Sequence, residues 1–170
     1  TESLEAFEQC FNVTIDQPRD LSVLASVARD NSSINLQLNG SNKYYIMVNN
    51  NTIVTDQSDY KLNLSKGLNV IRITGDKECQ GVYEETIFNS EDILLSPNPA
   101  VNNTNLWVGG NDTNVNLSIF DNSGRLLWTR TKELNSGRDI NIETTNLKAG
   151  MYYIKVESET VRKTAKLIKK

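Results

Sequence analysis

The residue types that carry most enzyme chemistry are scarce in this chain. Its 170 residues include no histidine and only two cysteines. Without an imidazole, the Ser-His-Asp and Cys-His arrangements that activate nucleophiles are not available. The adjacent carboxylates Glu84-Glu85 and Glu91-Asp92 remain. Because neighbouring residues on a strand point to opposite faces, the first pair cannot converge on one substrate atom. We interpret both pairs as solvated surface charge and expect no catalytic residue.

The sequence also gives no basis for a metal, a cofactor or a nucleic-acid partner. Oxygen ligands occur in residues 56–59 and 111–114, but ordinary turns are the simpler interpretation. Gly109-Gly110 is not followed by the Lys-Ser/Thr of a phosphate-binding loop. A net charge of −3 and a pI of about 5.1 provide no basic cluster for nucleic acid. The apolar runs are too short to span a membrane. We also expect the protein to be a monomer.

The two cysteines, Cys10 and Cys79, lie far apart, each beside a predicted strand end. Such a pair fits a disulfide in an exported protein, with free thiols or an intermolecular bond as alternatives. Two thiols without histidine are too few ligands for zinc.

Apolar and polar residues alternate along nearly every segment, with the period of two that is typical of half-buried strands. Residues 21–28, 34–39 and 60–64 are clear examples. Asn49-Asn50-Asn51 and Asp121-Asn122-Ser123-Gly124 predict hairpin turns, with Gly124 in the left-handed conformation. The pattern predicts an all-β fold of two tandem immunoglobulin-like antiparallel β-sandwiches.

A break at Pro97-Asn98-Pro99 separates the two halves. Prolines lack a backbone donor and do not lie inside central strands. We place the boundary within residues 89–96 and predict domains at 1–92 and 93–170, although residues 1–15 alternatively close a preceding repeat. The sequence does not begin with Met, so we expect a C-terminal piece of a longer protein.

Four short sequence motifs in the second half of the chain, here called blocks, are similar to the motifs of a known protein family. They are Pro97-Asn98-Pro99, the strand and turn ending in Asp121-x-x-Gly124, Leu147-x-x-Gly150-x-Tyr152, and the final Lys166-Leu167-Ile168-Lys169-Lys170. In this order they resemble the type A C-terminal sorting domain of the type IX secretion system of Bacteroidota. Residues 10–92 are more loosely similar to β-sandwich repeats that precede this domain in surface proteins.

The resemblance implies a seven-stranded sandwich that serves as an export address, with the four blocks as structural and recognition positions. Its implied partners are an outer-membrane translocon and a sortase-like protease, which we expect to cut in the linker before Pro97. The protein would be secreted or held at the cell surface. If the final strand is read by the machinery, deleting the last five residues should block export while the sandwich stays folded.

Two further expectations depend on the sandwich fold. The first and last strands of such a sandwich commonly run parallel, which would place Cys10 and Cys79 at the same end and favour their disulfide. The alternative function is an adhesin module in residues 10–92 that binds a glycan or a protein. Its candidate aromatic residues are Tyr44, Tyr45, Tyr60 and Tyr83. Any enzyme would lie upstream of this chain.

Overall fold

The structure is a computed structural model that describes residues 17–170, which hold fourteen strands and one short 3₁₀ turn at Glu78–Gln80. The first seven strands are β1 (Ser22–Val27), β2 (Ser33–Asn39), β3 (Tyr44–Val48), β4 (Asn51–Thr55), β5 (Asp59–Asn63), β6 (Gly67–Thr74) and β7 (Val82–Asn89). The second seven are β8 (Ile93–Ser96), β9 (Asn103–Val108), β10 (Asn114–Asp121), β11 (Leu126–Glu133), β12 (Asp139–Glu143), β13 (Gly150–Glu157) and β14 (Arg162–Lys169).

Strands β1 to β7 form a first sandwich of two antiparallel sheets, with strand orders β1-β2-β5 and β4-β3-β6-β7. The residues that alternate along each strand divide between two faces, and the apolar ones form the buried face of each sheet. Ile34 of β2 and Ile46 and Ile71 of the facing sheet are fully buried in one hydrophobic cluster. The β3–β4 hairpin turns at Asn49, whose φ of 53° is the left-handed conformation that asparagine tolerates.

Strands β8 to β14 repeat the same topology in a second sandwich. Its sheets have the orders β12-β9-β8 and β11-β10-β13-β14, again antiparallel. Leu106, Ile119 and Leu167 are fully buried in its separate core. Two antiparallel sheets facing each other across an apolar core confirm the predicted all-β, immunoglobulin-like sandwich fold. The domain division at residue 92 stays a prediction, and residues 1–15 lie outside the described part of the chain.

The linker between the sandwiches is held by a glycine turn of the second one. Gly109 N donates to Asp92 O at 2.8 Å, and Gly110 N donates to Ser90 O at 3.0 Å. A Cβ atom on Gly109 would lie 2.2 Å from Ser90 O, closer than atoms tolerate. Lys163 also pairs with Asp92 at 3.4 Å. The linker is therefore docked rather than extended freely between the sandwiches.

The predicted Cys10–Cys79 disulfide is not supported. Cys79 carries a free, exposed thiol, and Cys10 lies outside the described residues. In the 3₁₀ turn the buried position is taken by Gln80, whose amide donates to Arg19 O at 3.0 Å and Gly40 O at 2.6 Å. The turn that directs Gln80 inward directs its neighbour Cys79 to solvent, which a strand-end interpretation of Cys79 did not anticipate.

Candidate functional site

The Pro97-Asn98-Pro99 block leaves the β8 edge and bonds to the final strand. The Asn98 amide nitrogen donates to Lys166 O at 2.7 Å, and its side-chain oxygen accepts from Ile168 N at 2.9 Å. One asparagine side chain thus makes the donor and acceptor pair that a neighbouring strand's backbone would make. The peptide bonds before both prolines are cis.

Ala100 continues this contact with its backbone. Ala100 N donates to Ile168 O at 2.8 Å, and Lys170 N donates to Ala100 O at 2.9 Å. Ala100 and Lys169 form a parallel bridge, and the Ala100 side chain is fully buried. We call Asn98 and Ala100 the clasp. The clasp occupies the outer backbone edge of β14 from Lys166 to Lys170.

The final strand is itself part of the core. Leu167 is fully buried, whereas Lys166 and Ile168 on either side of it are exposed. Lys169 is half-buried and Lys170 is exposed. The last residues are therefore an integral strand of the sandwich, with their lysines at its surface.

The Asp121-x-x-Gly124 block closes the β10–β11 hairpin as predicted, with Gly124 at a φ of 83°. The Asp121 carboxylate accepts from Ser123 N at 3.0 Å, from Arg125 N at 3.1 Å and from Arg125 Nε at 3.0 Å. The hydrogen bond from the Ser123 hydroxyl is the main cause that lowers the pKa of Asp121. This carboxylate shapes the turn, since its oxygen atoms are already used by neighbouring donors.

The Leu147-x-x-Gly150-x-Tyr152 block turns the chain into β13. Leu147 N donates to Thr144 O at 3.0 Å, and the Tyr152 hydroxyl donates to Lys148 O at 2.8 Å. Leu147 packs against the core, and Gly150 begins the strand opposite Lys169. The buried Tyr152 ring and its hydroxyl bond together fix this turn against the sheet.

All four blocks meet at one end of the four-stranded sheet. Asp121 pairs with Tyr152 in the register of β10 and β13, and Tyr152 pairs with Leu167 in the register of β13 and β14. Asn98 bonds to the residues on both sides of Leu167. The structure thus brings together segments that are up to 70 residues apart in the chain.

Two charged residues, Arg138 and Asp112, stabilise the other end of this sandwich. Arg138 is buried, has a φ of 59°, and donates to Val108 O at 2.8 Å and Gly109 O at 3.1 Å. Burial lowers the pKa of Arg138, and the Asp112 charge opposes that shift. Arg138 was not predicted as a functional residue. It follows Gly137 in the stretch between Trp128 and Ile140, which contains none of the four blocks of the resemblance.

Asp112 ties the β9–β10 loop to the β13–β14 loop. Its carboxylate accepts from the Ser158 hydroxyl, from Thr160 N at 2.9 Å and from Thr160 Oγ1 at 2.7 Å. The Ser158 bond is the largest cause that lowers the pKa of Asp112 below its ordinary value of 3.8. The Asp112 carboxylate, one of the oxygen ligands noted in residues 111–114, is thus held by the protein's own donors.

The Asp112 contact predicts a loss of stability in acid. Since folding lowers this pKa, the ionised group stabilises the protein above about pH 4, and that contribution disappears as the pH falls through the folded value. We expect Asp112→Asn to cost about 1 kcal/mol at neutral pH and less in acid. Urea unfolding of both proteins from neutral pH to about pH 2 measures this. Asp56→Asn is the control, since the exposed Asp56 carboxylate accepts no hydrogen bond within residues 17–170. A constant difference across pH would contradict the assignment.

The tyrosines proposed for a glycan site do not form one face. Tyr44 is 3% exposed in the core, whereas Tyr45 is 39% exposed on the opposite face of β3. Tyr60 and Tyr83 are half-buried, and the Tyr83 hydroxyl donates to Glu85. Burial and this hydrogen bond raise the pKa of Tyr83.

Residues 95–170 match the family model described as a secretion system C-terminal sorting domain. The match begins in β8 and covers the remainder of the second sandwich, including all four blocks. No curated protein matches the chain.

Two solved structures are similar to this chain at low sequence identity. The BSP domain of a biofilm-associated protein has 12% identity and a TM-score of 0.36, with 88% of this chain and 29% of that chain covered. The chicken interferon gamma receptor alpha chain has 8% identity and a TM-score of 0.31, with 91% and 100% covered. This chain therefore spans less than a third of the biofilm-associated protein's chain.

The family match defines the second sandwich as a sorting module. Residues 95–170 are a type IX secretion system C-terminal sorting domain. Such a domain marks a protein that is exported across the outer membrane to the cell surface or the medium. Within residues 17–170, no helix has the length and apolar character needed to cross a membrane.

Proposed function

We propose that this chain is the non-catalytic C-terminal region of an exported protein and that its second sandwich is read as a folded address. The match of residues 95–170 to the sorting-domain family carries the proposal. Because the four blocks come together only in the folded sheet, the machinery would recognise a surface rather than a linear peptide. We propose the outer-membrane translocon as the partner that reads it, and a monomer as the exported form.

The carboxylate pairs support a non-catalytic role. Glu84 pairs with Arg72 at 2.5 Å, and Asp92 pairs with Lys163 at 3.4 Å. Glu85 accepts hydrogen bonds from Tyr83 and, at 3.1 Å, from the Ser136 hydroxyl of the second sandwich. These acids act in ion pairs and contacts between the sandwiches. Catalysis by the full protein would then reside upstream of this chain.

We propose that the sortase-like protease removes the second sandwich by cutting within residues 90–92. Ile93 to Ser96 form β8 and pair with β9, so they belong to the sandwich that would be released. Glu91 and Asp92 are exposed, and Ser90 is half-buried. This narrows the sequence-based expectation of a cut before Pro97 to the short segment between β7 and β8.

An export assay tests the address. A fluorescent protein that follows a signal peptide is joined to the full 170-residue chain, and a matched fusion ends at Asp92. Both are expressed in a bacterium that has a type IX system. We expect fluorescence at the surface or in the medium for the full chain and in the periplasm for the shorter fusion. Periplasmic retention of the full-chain fusion, with the folded protein detected there, would overturn the proposal.

A further inference from the structure

The outer face of the sheet β11-β10-β13-β14 carries an apolar patch. Leu126 is 50% exposed, Tyr153 39%, Ile168 38% and Met151 37%, whereas their strand neighbours Tyr152, Ile154 and Leu167 face the core. We define the outer patch as Phe120, Leu126, Met151, Tyr153 and Ile168. In the strand register Phe120 lies between Leu126 and Tyr153, and Met151 lies opposite Ile168. The patch is therefore continuous across all four strands.

The backbone edge of β14 offers less to a partner than this face does. The clasp already takes the outward N–H and C=O groups of Ile168, together with Lys166 O and Lys170 N. An extended segment that paired with this part of the edge would have to displace Asn98 and Ala100 first. The outer patch has no such cover within residues 17–170, and its exposed Tyr153 and Met151 side chains are of types enriched in protein interfaces.

Charge indicates what kind of surface fits the patch. Residues 93–170 contain eleven Lys and Arg against seven Asp and Glu, a net charge of +4, within a chain whose overall charge is −3. Lys166 lies beside Tyr153 in the register, is exposed, and has no ion-pair partner among residues 17–170. The complementary surface is an apolar one that carries carboxylates at its margin.

We propose that the outer patch, not the backbone edge of β14, is the surface that docks on a protein partner with an apolar, acid-rimmed surface. This inference depends on the proposed function, because the partner would be a component of the export machinery. The clasp has the complementary role of closing the β14 edge so that docking takes place on the face.

The test compares two double variants of the full-chain fluorescent fusion. Met151→Ser with Tyr153→Ser removes the centre of the patch. Met47→Ser with Tyr45→Ser is the matched control in the first sandwich, where the same residue types, two positions apart, are 42% and 39% exposed on β3. Thermal unfolding of both purified proteins establishes that each fold is kept. We expect export of the patch variant to fall at least about tenfold and that of the control to stay within about twofold of the parent.

A third variant, Thr164→Pro, tests the edge. Alternate residues of a strand direct their backbone groups to the same edge, so Thr164 N points outward as Ile168 N does. Proline there blocks strand addition without loss of a bond to β13, and we expect export within about twofold of the parent. Failure of the parent fusion to leave the periplasm would refute the proposed function. An exporting parent whose patch variant is also exported, or whose Thr164→Pro variant alone is retained, would overturn the docking assignment.

Discussion

Removal of Lys166–Lys170 is expected to unfold the second sandwich. The deletion takes away the fully buried Leu167, half of the pairing between β13 and β14, and every bond from the clasp. Loss of one buried leucine side chain alone costs about 2–5 kcal/mol. The total loss would approach the whole stability of a small domain, about 5–15 kcal/mol. Urea unfolding followed by circular dichroism measures it.

A substitution variant keeps the strand and serves as the control for this deletion. Lys166→Ala, Lys169→Ala and Lys170→Ala together remove the lysine charges but leave Leu167 and the backbone bonds to the clasp in place. We expect this triple variant to lose no more than about 1 kcal/mol. If the deletion proved no more destabilising than the triple variant, β14 would not be the structural strand that its burial indicates.

The expected unfolding changes how an export defect of the Lys166–Lys170 deletion variant would be interpreted. The sequence favoured a tail that the machinery reads while the sandwich stays folded. Because Leu167 lies in the core, a truncated chain fails to export through unfolding as readily as through lost recognition. The lysine variant and the outer-patch variant separate the two causes, because each is expected to retain the fold.

Gly109→Ala is expected to release the linker between the sandwiches. The new Cβ would lie 2.2 Å from Ser90 O and 2.7 Å from Asp92 O, so the glycine turn and the linker cannot keep their two hydrogen bonds. We expect a destabilisation of at least about 2 kcal/mol and cleavage after Glu91 that is at least about tenfold faster. Limited digestion with a glutamate-specific protease, followed by mass spectrometry, measures the rate at this bond.

The control for the linker prediction is Gly124→Ala. No atom lies within 4 Å of a Cβ placed there, although its φ of +83° adds backbone strain. This variant is expected to be less stable than the parent while its cleavage after Glu91 stays at the parent's rate. Equal cleavage of Gly109→Ala and the parent would show that the docked turn does not protect the linker.

Features that depend on contacts between residues close together in the sequence could be predicted before the structure was known. The Asp121–Gly124 turn was predictable because its hydrogen bonds join residues within four positions of one another. The predicted disulfide, which the structure does not support, depended on a contact that is not local. The 3₁₀ turn at Glu78–Gln80 is fixed by hydrogen bonds from Gln80 to Arg19 and Gly40, which lie far away in the sequence. The residues next to Cys79 therefore do not indicate that Gln80 is buried and Cys79 is exposed.

The strands, the sandwich class and, through four ordered blocks, the sorting-domain family could be predicted from the order of residues along the chain. Alternation of apolar and polar residues is a local property, because each strand buries one face in the core and exposes the other to water. In contrast, the closure of the β14 edge by Asn98, and the contacts of Arg138 and Asp112 at the opposite end, become evident only in the folded chain. These contacts join a side chain to groups about 30 to 70 residues away, so they leave no local period or spacing in the sequence.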